Sequence, residues 1–435
     1  MGFVGRQLLT AALTANAIRP LSGFRTGIPA FFAGWLTGEL APHLLGLTVA
    51  DAALHATGRR RDTRGLALAG ASAAGLAYLI RQSRQVGAAA EEALTEGLGI
   101  DYAEQLDAAP TPADLATPWR SIANPFAYGR ARRRAGVQVL RDVAYDAAHG
   151  KRGLLDIYTS TLTPASGAPV LLQVHGGAWT IGEKEQQGLP LMQHLAAKGW
   201  VCVAINYRLA PRSPWPAQIV DVKAAIAWVR ANIAEYGGDP DYVVITGGSA
   251  GGHLTALAAL TANDPAFQPG FEDADTTVQA AVPHYGVYDL AGATGIPRVL
   301  QTRDRFLAPK VMQTSFADSP EVFEAASPLL RVTEDAPDFF VLHGASDTLV
   351  DVRQARAFVA RLRETSRRSV VYAELPGAQH AFDLFPSIRS AHVVRAIDRY
   401  LHWHWNTHRA SRGSGTAEPG LRHRPAGSQA QPSRG

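Results

Sequence analysis

Cysteine is nearly absent from this 435-residue chain: one residue, Cys202, stands in the apolar run WVCVAINY. A single thiol excludes an internal disulfide framework. Its apolar setting reads as a small buried hydrophobe, which leaves the redox compartment open. No cluster of histidine and cysteine has zinc-ligand spacing, and no glycine-rich phosphate loop occurs, so neither a metal nor an organic cofactor is expected. An excess of charge in the folded part is lacking too. The formal net charge is +4, and from Asn406 to Gly435 five arginines (409, 412, 422, 424 and 434) face one acid, Glu418, which accounts for all of it. The basic balance therefore belongs to a Gly/Ser/Pro/Arg-rich tail, 406–435, with too few apolar residues to fold around. That tail reads as disordered, and no nucleic-acid partner is implied.

What is present is apolar: 46% hydrophobic against 18% charged residues, enough for one large core plus a smaller unit. Residues 1–118 are rich in Ala, Leu and Gly and contain no convincing strand. Within them IPAFFAGWLTGELAPHLLGLTVA (28–50) is long enough for a bilayer core, which needs about 20 residues. It carries Glu39, Pro42 and His43 near its centre, which is costly in lipid. GLALAGASAAGLAYLI (65–80) is charge-free but short, and GRRRDTR links the two. The expectation is a helical N-terminal region associated with the cell membrane through 28–80; the alternative is a soluble helical hairpin packed on the rest of the chain. Arginines are balanced between the link (59, 60, 61, 64) and the outer flanks (19, 25, 81, 84), so topology does not follow from charge. Ala15-Asn16-Ala17 has the look of a cleavage site, but the stretch before it is broken by threonine, against a cleaved leader.

Residues 119–405 alternate short β-type runs with helical patterns. Strands are predicted at 137–144, 153–158, 170–174, 200–205, 242–246, 279–284, 338–342 and 370–375. The inner ones (VLLQV, VCVAI, VVIT, FFVLH) are continuously apolar, as strands covered on both faces are. The clearest helix, 216–237, starts with Pro216 and stops at Gly237-Gly238. The fold class is α/β: a mostly parallel sheet of about eight strands with helices on both faces, preceded by the helical N-terminal region.

The stretch VVITGGSAGGHL (243–254) puts Ser249 in a G-x-S-x-G turn between a strand and a helix. Such a turn lifts a serine Oγ above the sheet edge on a strained backbone, and its neighbours must be small because strand and helix pack against it. A serine needs a base, and the base an orienting acid. Asp347 in ASDTLVD follows one strand and His380 in PGAQHAF follows another, in the order Ser, Asp, His. Asp351 is the rival acid and reads as the cap of the next helix; His253 and His392 lie in helical patterns and read as structural. HGGAW (175–179) after VLLQV lets backbone N–H groups approach an oxyanion, which assigns Gly176 and Gly177 as donors, with the N–H of Ala250 completing the set.

HGGAW, NYRLAPRSPWPAQIVD (206–221), GGSAGG (247–252), SDTLVD (346–351) and GAQHAF (377–382), in this order, make residues 135–403 resemble the hormone-sensitive-lipase-like α/β-hydrolases, which include bacterial carboxylesterases. The N-terminal region is similar to that of actinobacterial lipase/esterase paralogues with apolar extensions. The resemblance implies Ser249 as nucleophile, Asp347 as acid and His380 as base of a serine carboxylesterase or lipase acting on short- to medium-chain acyl or lipid esters. The chain departs from the family where it has Gly248 for Asp, Ala178 for Gly, Arg212 for Glu and Thr348 for Pro. An arylformamidase-type amidase shares the pattern, and a non-catalytic ligand receptor shares the fold but typically lacks a triad member. The segment 285–330 is expected to be the variable insertion that shapes the substrate pocket.

Overall fold

In a computed structural model, which describes residues 1–23, 26–58, 62–106, 116–127, 133, 135–162 and 166–413, the apolar runs of the second region lie side by side in one sheet. The strands are β1 (Val137–Ala144), β2 (Leu154–Ser160), β3 (Ala168–Val174), β4 (Val201–Ile205), β5 (Gly238–Gly248), β6 (Ala280–His284), β7 (Asp338–Gly344) and β8 (Val370–Leu375), in the order β1-β2-β4-β3-β5-β6-β7-β8. The first two pairings are antiparallel and the rest parallel. These are the eight strands expected, with the largest extension at β5.

Successive residues of the inner strands bury opposite faces, which is why those runs are apolar throughout. We number the α-helices of nine residues or more. Val170, Leu172, Val243 and Ile245 join a cluster with α6 (Ala217–Asn232), α7 (Ala250–Leu260) and α8 (Val352–Thr365). Leu171, Cys202, Val244 and Phe340 join another with α5 (Leu189–Ala197) and α9 (Ile388–Gly413). Cys202 is fully buried, as its setting suggested, and burial pushes its thiol far up.

The second cluster also contains Phe31, Val86, Ala90, Ala93, Leu94 and Tyr102, all from the N-terminal region. That region consists of α1 (Phe3–Ile18), α2 (Gly27–Glu39), α3 (Ala41–Ala56) and α4 (Thr63–Leu98). The 36-residue α4 is capped by Asp62, whose Oδ1 accepts from the N–H of Arg64 and Gly65 at 3.0 Å. Its buried residues Ala69, Ser72, Leu76, Leu79, Ser83, Val86, Ala90 and Ala93 recur at alternating intervals of three and four, one continuous seam. The first half of the seam meets α1 and α3; the second lies on β8 and α9, where glycines allow close approach. A Cβ on Gly97 would stand 2.7 Å from Val371, and one on Gly87 2.7 Å from the His392 ring.

The stretch 28–50 is two helices rather than one rod. It breaks at Leu40, with Pro42, which has no N–H, in the first turn of α3. Glu39, at the break, pairs with Arg389 and accepts from Ser387 Oγ at 2.6 Å, and all three side chains are buried. The carboxylate that seemed costly in lipid is matched inside protein. The tail also begins later than 406: α9 continues to Gly413, Asn406 Nδ2 donates to the Gln105 carbonyl at 3.0 Å, and Arg412 pairs with Asp241 at 2.8 Å. Residues 414–435 lie outside the described residues.

Two outcomes follow. Glu39→Ala leaves the Arg389 guanidinium buried without its counter-charge and should lower unfolding free energy by about 3–5 kcal/mol, measured by chemical denaturation; a loss under about 1 kcal/mol would place the pair in a solvated setting. A chain starting at Thr117 strips α4 from β8 and α9 and should aggregate on expression; a soluble, monodisperse product would mean that the N-terminal helices are not needed to cover that face.

Candidate active site

The chain passes from β5 to α7 through a single residue. Ser249 has φ 59° and ψ −121°, a conformation that costs an L-residue about 1–3 kcal/mol and persists only where its surroundings enforce it. Backbone packing does so here. A Cβ on Gly251 would stand 2.2 Å from the Val174 carbonyl oxygen, and one on Gly247 2.5 Å from the same atom. The Ser249 N–H is held by the His284 carbonyl at 3.0 Å, and the residue remains partly accessible.

Asp347 lies on the loop after β7 and His380 on the loop after β8. The structure brings them together: His380 Nδ1 is 2.7 Å from Asp347 Oδ2. A proton on Nδ1 donated to the carboxylate leaves the Nε2 lone pair free. Asp347 Oδ1 accepts from the N–H of Leu349 and Val350, each at 2.8 Å, and its Oδ2 also lies 3.3 Å from His343 Nε2. Burial pushes the Asp347 carboxyl up, but His380 and His343 outweigh it and hold the group well below the usual range. Gln379 joins the two loops, its Oε1 accepting from the N–H of both Thr348 (2.7 Å) and His380 (2.9 Å). A proline at 348 could not donate there, so the departure from the family pattern has a use. Asp351 caps α8, accepting from the Arg353 N–H at 3.0 Å and pairing with its guanidinium.

Tyr285 stands between the serine turn and the base loop. Its ring centroid is 4.5 Å from that of His380, and a Cβ on Gly248 would fall 2.5 Å from its hydroxyl. This contact accounts for glycine where the family often has aspartate. The HGGAW loop closes the other side: a Cβ on Gly176 would come within 3.2 Å of Ser249 Cβ. The donors assigned there divide. The Gly176 N–H is engaged by Gln187 Oε1 at 2.7 Å, a side chain that an oxyanion at this donor would have to displace. Gly177 (φ 118°) is partly accessible, and a Cβ on it would strike the Ile181 carbonyl at 2.1 Å. Ala178 takes φ 51°, where the family's glycine would be unstrained. Trp179 Nε1 donates to His253 Nδ1 at 3.1 Å, and His253 Nε2 lies 2.7 Å from the Ala326 carbonyl, which fixes this loop. Buried, with its pKa lowered to about 4, His253 is a neutral structural residue. His392 sits on α9 against Gly87, away from the serine turn.

Helix α2 completes the site, with contacts no local sequence pattern announced. Phe31 meets the His380 ring edge-on at 5.8 Å between centroids, and the Gly27 carbonyl accepts from Thr348 Oγ1 at 3.2 Å. Trp35 packs on Phe385. Part of the segment 285–330 lines a cleft of about 680 Å³, with Gly292, Arg303, Phe316, Glu321 and Arg331 among its walls and none of Ser249, Asp347 and His380.

Several known esterases are similar to this chain. The family model BD-FAE matches residues 155–362. The probable carboxylic ester hydrolase LipM of Mycobacterium tuberculosis is 46% identical over 90% of this chain and 91% of its own, and the esterase LipC of the same organism 40% identical over 86% and 94%. A butyrate-bound thermophilic esterase from the Planctomycetes species Thermogutta terrifontis superposes with a TM-score of 0.50 at 26% identity, over 61% of this chain and 93% of that one. Likeness to the two Lip proteins extends over most of both chains, and on that ground the chain belongs to the hormone-sensitive-lipase-like family of α/β-hydrolases as a serine carboxylic ester hydrolase.

Proposed function

We propose that Ser249 is the nucleophile, His380 the general base and Asp347 the acid that holds His380. The buried 2.7 Å contact between Asp347 Oδ2 and His380 Nδ1, on loops bound together by Gln379, carries this reading. Ser249 Oγ attacks the ester carbonyl while His380 Nε2 takes its proton. The tetrahedral oxyanion is met by the N–H groups of Gly177 and Ala250, the latter at the N-terminus of α7 where the helix dipole favours negative charge. His380 returns the proton to the departing alkoxide, and water, activated by the same imidazole, releases the acid. Asp347 stays ionised throughout, because three hydrogen bonds satisfy its charge before the imidazolium forms, with His343 Nε2 3.3 Å away.

The substrate class we favour is a carboxylic ester with an apolar acyl group. Support comes from the aromatic side chain of Phe31 beside the base, with Trp35 and Phe385 beyond it. The butyrate held by the Thermogutta esterase is a short acyl acid of that kind.

We further infer that the N-terminal helices attach the enzyme to lipid. Among the described residues, Thr63–Leu98 is the helix long and apolar enough to cross a membrane. Its second half is covered by the catalytic sheet, so the favoured arrangement is shallow insertion of the α1–α3–α4 bundle. The bundle turns small and polar residues inward (Gln7, Thr14, Thr48, Ser72) and leaves Leu8, Leu9, Leu47 and Leu54 more than half exposed. Helices in lipid pack through small residues in this way.

Ser249→Ala and His380→Ala should each abolish ester turnover, and a fluorophosphonate should label the wild type at Ser249 alone; labelling at another serine would overturn the assignment. Asp347→Asn should cost about 10⁴-fold in kcat, whereas Asp351→Asn should leave kcat near the wild-type value and stability within about 1 kcal/mol, because asparagine still caps the helix and only the ion pair to the exposed Arg353 is lost. Gly177→Ala should lower kcat about 100-fold or more, because its N–H must move away from the acyl oxygen; near-normal turnover would put the donor elsewhere. Faster hydrolysis of aryl formamides than of acyl esters would favour the amidase reading. Wild-type protein should sediment with lipid vesicles, and Leu47→Glu/Leu54→Glu should stay in the supernatant while hydrolysing a soluble ester normally. Wild type remaining in the supernatant would exclude the lipid reading.

A further inference from the structure

A second acid–histidine pair lies behind the first, and the ester-hydrolysis mechanism does not use it. Asp383, three residues past His380, places Oδ2 2.5 Å from His284 Nδ1 and accepts the Tyr285 hydroxyl on Oδ1 at 2.5 Å. His284 and Tyr285 end β6, on the opposite side of the serine turn from HGGAW. The assembly touches both halves of the proposed triad. The His284 carbonyl holds the Ser249 N–H at 3.0 Å, and the Tyr285 ring lies 4.5 Å from the His380 ring at 56°.

We propose that Tyr285 and Asp383, seated on His284, are positioning residues that hold the His380 imidazole and the Ser249 turn in one register. Three observations carry this. First, the clamp spans chain segments about a hundred residues apart yet closes on the same loop that bears the base, so His380 is anchored on both sides: by Asp347 at Nδ1 and by Asp383 through the chain. Second, two non-glycine residues in this assembly sit at positive φ, Tyr285 at 36° and Ala381 at 61°. A left-handed L-residue costs about 1–2 kcal/mol; both persist because neighbouring contacts enforce them, as the Asp383 hydrogen bonds and the 2.7 Å bond from Tyr285 N–H to the Leu342 carbonyl do here. Third, Gly248 leaves the volume beside Ser249 open for the Tyr285 ring. The carboxylate that the family often places at that position is replaced by one arriving from the base loop.

The physical consequence is rotational. An imidazole held only by its Nδ1 bond can swing about that bond and lose its line to the serine hydroxyl. The Tyr285 ring against one face, with Phe31 edge-on to the ring, removes that freedom and keeps water from behind it. A misplacement of about 1 Å at such a point costs on the order of 100-fold in rate.

This inference rests on the triad reading, and the experiment separates the two. Tyr285→Phe keeps the ring and loses the tie to Asp383; Tyr285→Leu loses both; Asp383→Asn keeps shape and removes charge. Expected are kcat losses of about 10-fold for Tyr285→Phe and Asp383→Asn and about 100-fold for Tyr285→Leu. KM for a soluble short-chain ester should stay within about 2-fold, since substrate binding is untouched. The rate of fluorophosphonate labelling at Ser249 should fall in parallel with kcat, because both need the aligned base. Tyr285→Phe is nearly isosteric and keeps the test open if the other two fail to fold. Wild-type kcat and labelling rate in a folded Tyr285→Phe or Asp383→Asn, with only a lower melting temperature, would overturn the proposal and leave the pair a structural brace. Persisting activity in Ser249→Ala would instead sink the triad reading beneath it.

Discussion

The structure around the site depends on one enforced backbone turn, the positive φ of Ser249 between β5 and α7. A strand and a helix can follow each other with no loop only if their backbones touch, and the contacts at Gly247 and Gly251 reach the carbonyl of Val174 at the end of β3. That carbonyl belongs to the strand that leads into HGGAW, so the same packing that strains the serine sets the distance to the oxyanion loop. On the other side the Ser249 N–H is spent on the end of β6. The central strands β3, β5 and β6 are thus a single rigid frame from which Ser249 cannot relax without opening the sheet.

Asp347 and His380 are set by a different means. Their loops leave β7 and β8, nearer the edge of the sheet, where fewer neighbours exist to hold them. Side chains do the holding: Gln379 bridges the loops, His343 shares the Asp347 carboxylate, and Asp383 returns to β6. The N-terminal helices supply the cover that an edge site lacks. Helix α2 is fixed at its start to Thr348 and at its end, through Glu39, to Arg389 and Ser387, and between these anchors it lays Phe31 against His380.

How much of this was legible in the sequence follows from which contacts are local. The eight strands were readable because a strand buried on both faces must be apolar at every position. The serine turn and the two loop residues were readable because each stands at a strand's carboxyl end. Helix α4 hid its seam: Ala69, Ser72, Ser83, Ala90 and Ala93 recur as regularly as leucines would, but their low hydrophobicity gives a weak signal. Phe31 and His380 are far apart in sequence, and no periodicity links them. The engagement of the Gly176 N–H was not legible, because the motif gives a backbone position without the side chain that meets it, here Gln187. The tail boundary was set too early because composition alone does not reveal that Asn406 and Arg412 still find partners on the domain.

The N-terminal region reconciles two demands that looked exclusive in the sequence. An apolar stretch interrupted by Glu39, Pro42 and His43 suits neither a membrane span nor an ordinary surface helix. Breaking it at Leu40 divides the work. Helix α2 turns Phe31 and its one carboxylate toward the catalytic domain and leaves Ile28 and Phe32 exposed, while α3 joins α1 and the start of α4 in a bundle that leaves Leu8, Leu9, Leu47 and Leu54 facing outward. The seam of α4 runs unbroken through both parts, so the helix that organises the outward-facing bundle also closes one face of the sheet. In the lipid-attached arrangement proposed above, that continuity fixes the height and orientation of Ser249 over the lipid surface without a linker. An apolar ester leaving the bilayer would then meet α2 before it meets solvent.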